Sequence, residues 1–192
     1  MLSAFLLSLG VIFVAELGDK SQLMALAFAT RFPAVPVLVG ITVATALVHL
    51  ASVLFGVVLG AALPTTAIQV VAAVAFFGFA LWTLRGDHLD DDELEQVERT
   101  TRSAVVAASV AFFLAELGDK TMLATITLAS RESGFWTLAG VWAGSTVGMV
   151  AADGLAIWVG KVLGARLPER AVKYGAALLF ALFGVLLLVD AL

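Results

Sequence analysis

The pentapeptide Glu-Leu-Gly-Asp-Lys occurs twice, at Glu16–Lys20 and Glu116–Lys120, followed by a hydroxyl residue, Ser21 in one copy and Thr121 in the other. Each copy sets two carboxylates and an ammonium inside an apolar stretch. On a continuous helix, positions 16, 19, 20 and 23 fall within an arc of about 100°. Glu16, Asp19 and Lys20 would then share a face, as would Glu116, Asp119 and Lys120. Gly18 and Gly118 would thin the helix beside the acids, and Gln22 would add an amide oxygen near Asp19. If the two copies meet, Glu16, Asp19, Glu116 and Asp119 form an all-oxygen cluster, which suits Mg²⁺, Ca²⁺ or Mn²⁺. With no cysteine and two histidines, zinc and copper are poorly served. Lys20 and Lys120 can offset surplus charge and hold the acids when no ion is bound. Crowded carboxylates also compete for protons, so protons can take the metal's place. A helix-locking salt bridge would explain one copy; two copies favour a binding site.

These residues must be positioned by membrane helices. The chain has 192 residues, 61% hydrophobic and 14% charged, and a mean hydropathy of +1.06. A soluble domain is about 45–50% apolar and about 25% charged. Crossing the hydrocarbon core takes about 20 residues, and six spans are expected, at about 3–31, 36–62, 68–84, 104–130, 135–160 and 174–190. Pro33, Pro36, Pro64, Ser133-Gly134 and Pro168 punctuate them. Leu2–Val14 lacks a basic leader region and reads as a retained helix. Glu16 lies about 20 Å along the first span at about 1.5 Å per residue, and Glu116 lies at a matching depth. A lone charge there costs about 2.5–3.5 kcal/mol on insertion scales, so the groups must face inward and neutralise one another or a ligand. Trp82, Trp136, Trp158 and Tyr174 fall near span ends, as an aromatic belt requires.

The motif belongs to a longer internal repeat. Phe13–Ala25 recurs as Phe113–Thr125 at an offset of 100 residues, and the match runs on through Ala29/Ala129, Arg31/Arg131 and Gly40/Gly140. A four-residue insertion then aligns Gly56 with Gly160 and sets His49 opposite Asp153. The expected organisation is a first three-helix repeat (1–85), an acidic linker (86–103) and a second three-helix repeat (104–192). Three spans per repeat turn the second copy over, giving an all-α integral membrane protein of six transmembrane helices in two inverted repeats. With the N-terminus outside, the inner loops hold Arg31, Arg85, Arg99, Arg102, Lys161, Arg166, Arg170 and Lys173, and the outer loops hold only Arg131. That bias places both termini outside and the linker in the cytosol. Inverted repeats of this kind build transporters with a site near the midplane. Gly56/Gly60, Gly140/Gly144/Gly148 and Gly160/Gly164 have the small-xxx-small spacing of close helix packing.

Asp153, well inside the fifth span, is a candidate for the ion or proton path, because intramembrane carboxylates are functional by default. His49 can relay protons near neutral pH or serve a hydrogen-bonded packing role. The linker carries seven acidic residues but lacks the glycine of an EF-hand loop. It reads as solvated, or as a collector of cations. No basic cluster suits nucleic acid.

The doubled Glu-x-Gly-Asp-Lys-[Ser/Thr] motif, the six spans and the central acidic loop resemble the transmembrane protein 165 family over the whole chain. That family includes small bacterial manganese exporters and Golgi cation/proton antiporters that handle manganese and calcium. The resemblance implies that Glu16, Asp19, Glu116 and Asp119 bind the cation, with Lys20 and Lys120 as further motif members. It also implies export of Mn²⁺, or next Ca²⁺, from the cytosol across the cell (inner) membrane, in exchange for protons. The metal is then cargo and no resident cofactor is expected. Where family members often continue with glutamine, as at Gln22, the second copy has Met122, whose softer thioether would bias a site toward Mn²⁺. The competing readings are a passive channel or small-metabolite exporter on the same scaffold, and an intramembrane aspartyl protease. The protease class carries Gly-x-Gly-Asp, whereas glutamate opens the motif here. The assembly state is left between monomer and homodimer.

Overall fold

The computed structural model describes residues 1–85, 103–163 and 169–191. The acidic linker, with Arg99 and Arg102, lies outside the described residues, as do Gly164, Arg166 and Pro168. Eight helices and no strand occur among the described residues: α1 (Leu2–Glu16), α2 (Lys20–Arg31), α3 (Ala34–Ala62), α4 (Thr65–Arg85), α5 (Ala104–Glu116), α6 (Lys120–Ser130), α7 (Phe135–Leu163) and α8 (Glu169–Ala191). The punctuation falls where expected. Pro33 caps α3, Pro64 precedes α4, and Gly134 takes φ +87° ahead of α7.

By length and apolar composition α3, α4 and α7 can each cross a bilayer, and α1 with α2 makes a fourth span bent by 75°. The apolar helix α5 and the apolar part of α8, Tyr174–Val189, are shorter. Large side chains such as Phe55, Val58, Val74 and Leu178 stand exposed on the outside. An apolar exterior around a helical core with its backbone hydrogen bonds closed internally is what lipid as solvent demands. The chain is an all-α, multi-pass membrane protein.

The helices pair across the two halves. α1 runs along α7 and α5 along α3; α2 also rests on α7, and α6 on α3. Each motif-bearing pair is therefore seated on the long second helix of the other half. Helix α4 pairs with α8, through edge-on contacts among Phe76, Phe79 and Phe180 with centroids 5.7–5.9 Å apart.

Small residues make the seating close. A Cβ added at Gly40 would meet Val105 O at 2.7 Å, and one at Gly148 would meet Leu9 O at 2.6 Å. Such distances exclude any larger residue without moving a backbone, and in lipid this packing replaces the hydrophobic drive. They also correct the repeat register. Gly40 faces Val105 and Ser109, and the glycine facing their counterparts Phe5 and Leu9 is Gly144, not Gly140. The four-residue insertion thus falls ahead of Gly40. Glycines recur every fourth residue along α7, so sequence matching slid by one step, while packing admits a single register. Under it His49 and Asp153 remain counterparts.

Candidate metal centre

The continuous helical face expected for each motif does not form. α1 stops at Glu16 and α2 starts at Lys20, and α5 stops at Glu116 and α6 starts at Lys120. Between them Leu17 has φ −63°, ψ 119°, Gly18 has φ +78°, and Asp19 N–H donates to Glu16 O at 3.1 Å. The second copy repeats this, with Leu117 at φ −65°, ψ 114°, Gly118 at φ +82° and Asp119 N–H to Glu116 O at 3.3 Å. These are the angles and closing bond of a type II turn, whose third residue must take positive φ. Glycine is required there because a side chain would clash. Aspartate follows as N-cap of the next helix. Each motif is therefore a helix end, a turn and a helix start. The glycine breaks the helix instead of thinning it.

The two breaks meet. Glu16, Asp19 and Glu116 are buried, and each offers one carboxylate oxygen within 4.8 Å of the others. Among the described residues this is the one such group of three or more, and Asp119 is not in it. Lys120, buried as well, pairs with Asp19 across the two halves. Asp119 lies in the field of both Lys120 and Lys20 and caps α6, accepting from Thr121 N–H at the long limit of 3.5 Å. Thr121 Oγ1 donates to Glu116 Oε2 at 2.9 Å, and Ser21 Oγ to Asp19 Oδ2 at 3.3 Å. Both hydroxyls therefore steady carboxylates of the group. Glu16 Oε1, Glu16 Oε2 and Glu116 Oε1 are buried with no hydrogen-bond partner, a costly arrangement unless a ligand completes it.

Gln22 and Met122 have a role that the spacing did not reveal. Gln22 Oε1 accepts from Gly18 N–H at 2.8 Å, and Met122 Sδ accepts from Gly118 N–H at 3.2 Å. Each closes its own turn, so neither heteroatom is directed at the carboxylates as a ligand. Gln22 does more: its Nε2 donates to Ala152 O on α7 at 2.9 Å, fastening the first break to the helix that carries Asp153. Asp153 is fully buried, its charge interacts with Glu16, Glu116 and Asp19, and neither of its oxygens has a partner. His49 is buried on α3 with Nδ1 3.4 Å from Thr146 Oγ1 and Nε2 unpartnered. A signal for the broken helix was present in the sequence. Glycine as a helix C-cap followed at once by aspartate as an N-cap is a stop and a start in adjacent positions.

Comparison with known proteins fits this chemistry. The family described as "Divalent cation/proton antiporter GDT1" matches residues 4–91 and 104–192. A "Putative manganese exporter" of Vibrio cholerae serotype O1 is 33% identical over 186 residues, 96% of this chain and 90% of its own. "GDT1-like protein sll0615" of Synechocystis sp. is 34% identical over 203 residues, 96% of each chain. "Protein PAM71, chloroplastic" of Arabidopsis thaliana is 32% identical over 208 residues, 94% of this chain and 54% of its own. No solved structure matches.

Proposed function

The chain belongs to the divalent cation/proton antiporter family GDT1, and on that footing we propose that it exports Mn²⁺, and next in preference Ca²⁺, from the cytosol in exchange for protons. The family is one of transporters, not enzymes, which removes the protease reading. The observation that carries the proposal is the buried meeting of Glu16, Asp19 and Glu116, with one oxygen each within 4.8 Å and three of their other or shared oxygens unpartnered. An all-oxygen donor set is the preference of hard divalent ions. The Vibrio relative, whose name reads "Putative manganese exporter", supports Mn²⁺ as first choice.

The charge balance suits exchange. A divalent ion together with Lys120 offsets the three carboxylates, and protons restore the balance when the metal leaves. Lys120 holds Asp19 in the meantime. In this reading the chain crosses the membrane six times as two inverted repeats, 1–85 and 104–192, with both termini outside and the acidic linker in the cytosol. The broken spans hinge at their type II turns to open the centre to one side and then the other. Asp119 sits beside the centre, where it links the second break to the two lysines.

Reconstituted vesicles with an internal Mn²⁺ reporter and an imposed pH step test this. Proton-driven Mn²⁺ accumulation, competed by Ca²⁺ and weakly by Mg²⁺, is the expected result. Uptake that only dissipates the metal gradient, indifferent to the pH step, would identify a channel.

A further inference from the structure

We propose that Asp153 is a fourth ligand of the transported cation, so that the centre is built from Glu16, Asp19, Glu116 and Asp153, with Asp153 in the role that motif symmetry would give to Asp119. The inference rests on the exchange reading above and adds to it a residue that belongs to neither motif.

Three observations converge on Asp153. It is fully buried and both its oxygens lack any hydrogen-bond partner. It lies within the field of Glu16, Glu116 and Asp19, as Asp119 lies within that of Glu16 and Glu116, so proximity alone does not choose between them and the uncommitted oxygens do. Its position is also fixed independently of charge. Gln22, at the first break, donates 2.9 Å to the carbonyl of Ala152, the preceding residue, and the same Gln22 closes the turn between Glu16 and Asp19. One side chain thus ties two of the ligands to the backbone that carries the third carboxylate of this half-site.

The donor count asks for such a residue. Hard divalent ions of the Mn²⁺ type take an octahedral oxygen shell, and the group of three supplies only part of it. Neither Asp119 nor Asp153 belongs to the group of three; what separates them is that Asp119 is committed as a helix cap in the field of two lysines. Asp153 has two uncommitted oxygens, and an unpaired buried carboxylate is stable only when a cation or proton reaches it. His49, the counterpart of Asp153 on α3, is a neutral-capable imidazole bonded toward Thr146. The centre is therefore lopsided: α7 contributes a carboxylate where α3 does not.

The test uses the full chain purified in detergent, with Mn²⁺ binding followed by the loss of its free-ion electron paramagnetic signal. Asp153→Asn is expected to weaken Mn²⁺ binding at least about tenfold, since even outer-shell changes cost about 10–100-fold at metal sites. Asp119→Asn is expected to weaken it less than Asp153→Asn does. Asp153→Cys introduces the chain's only thiol and should raise the preference for Cd²⁺ over Mn²⁺ by more than about tenfold, because a thiolate ligand favours the softer ion. A merely structural aspartate would not produce that switch, and the cysteine protein decides the matter if the asparagine protein fails to fold. Mn²⁺ affinity within twofold of the parent in Asp153→Asn, or no change in Cd²⁺ preference in Asp153→Cys, overturns the proposal. Glu16→Gln separates the two levels. If it also binds Mn²⁺ normally, the metal centre itself is misplaced; if it loses Mn²⁺ while Asp153→Asn keeps it, only the fourth ligand is refuted.

Discussion

The first break, Glu16–Gln22, and the second, Glu116–Met122, start from the same five residues and end in different circumstances. Both form a type II turn with glycine at positive φ. The first contributes two acids to the carboxylate group, the second one. The first is fastened to α7 through the amide of Gln22, whereas the second has a methionine that can only accept. The lysines diverge too: Lys120 is buried against Asp19, and Lys20 is half-buried. A shared motif therefore does not make two equivalent half-sites. The first break supplies two acids of the buried group and is fastened to α7, and the second supplies one acid and one counter-charge.

The sharpest contrast lies in the lysines. Lys120→Met leaves Asp19 buried without its cation, and removing one partner of a buried pair costs about 3–5 kcal/mol. Lys20→Met should cost less than about 1 kcal/mol, the range of a partly solvated pair. Thermal unfolding in detergent measures both, and added Mn²⁺ should recover much of the Lys120→Met loss by taking over the counter-charge. Equal losses from the two lysines would erase the distinction between the breaks.

Next come the acids. Glu16→Gln should weaken Mn²⁺ binding about 100-fold, or about 2.7 kcal/mol, and abolish exchange in vesicles. Asp119→Asn should leave most binding intact and act mainly on the maximal rate. Equilibrium Mn²⁺ titration beside transport kinetics separates the two, and the reverse ranking would place Asp119 in the ligand set.

The turns should behave alike. Gly18→Ala and Gly118→Ala each force a side chain into the left-handed region, at about 1–2 kcal/mol, read as a lowered unfolding temperature. A loss confined to one position would show that only one break is a true turn.

The smallest effect, and the finest probe of asymmetry, is the exchange of closing residues. Gln22→Met keeps an acceptor for Gly18 N–H but loses the added bond to Ala152 O, costing about 1 kcal/mol, the net worth of an ordinary hydrogen bond. Met122→Gln should be neutral or slightly stabilising, since an amide oxygen is the better acceptor. Paired denaturation curves test this; a gain from Gln22→Met would mean that the tie to α7 is not under load.

Much of the molecule was readable from residues alone. Apolar runs between Pro33, Pro64 and Ser133-Gly134 marked the helices, because in lipid only helices or closed barrels satisfy the backbone. The duplicated acids pointed to a buried, paired cluster, because ionisable groups inside apolar spans must be compensated. The doubled motif also carried the family resemblance, which the comparisons bear out. The broken helix was legible in principle from Gly18-Asp19 and Gly118-Asp119, yet helical periodicity spoke more loudly than a two-residue cap signal. What tertiary structure alone decided were relations between distant segments: that Lys120 serves Asp19, that Asp119 stands aside from the group, that Gln22 reaches Ala152, and that Gly40 matches Gly144. Periodicity describes which residues share a face of one element. Which face meets which partner, and in what register, is set by close packing of backbones over glycine, and that is a property of the assembled helices.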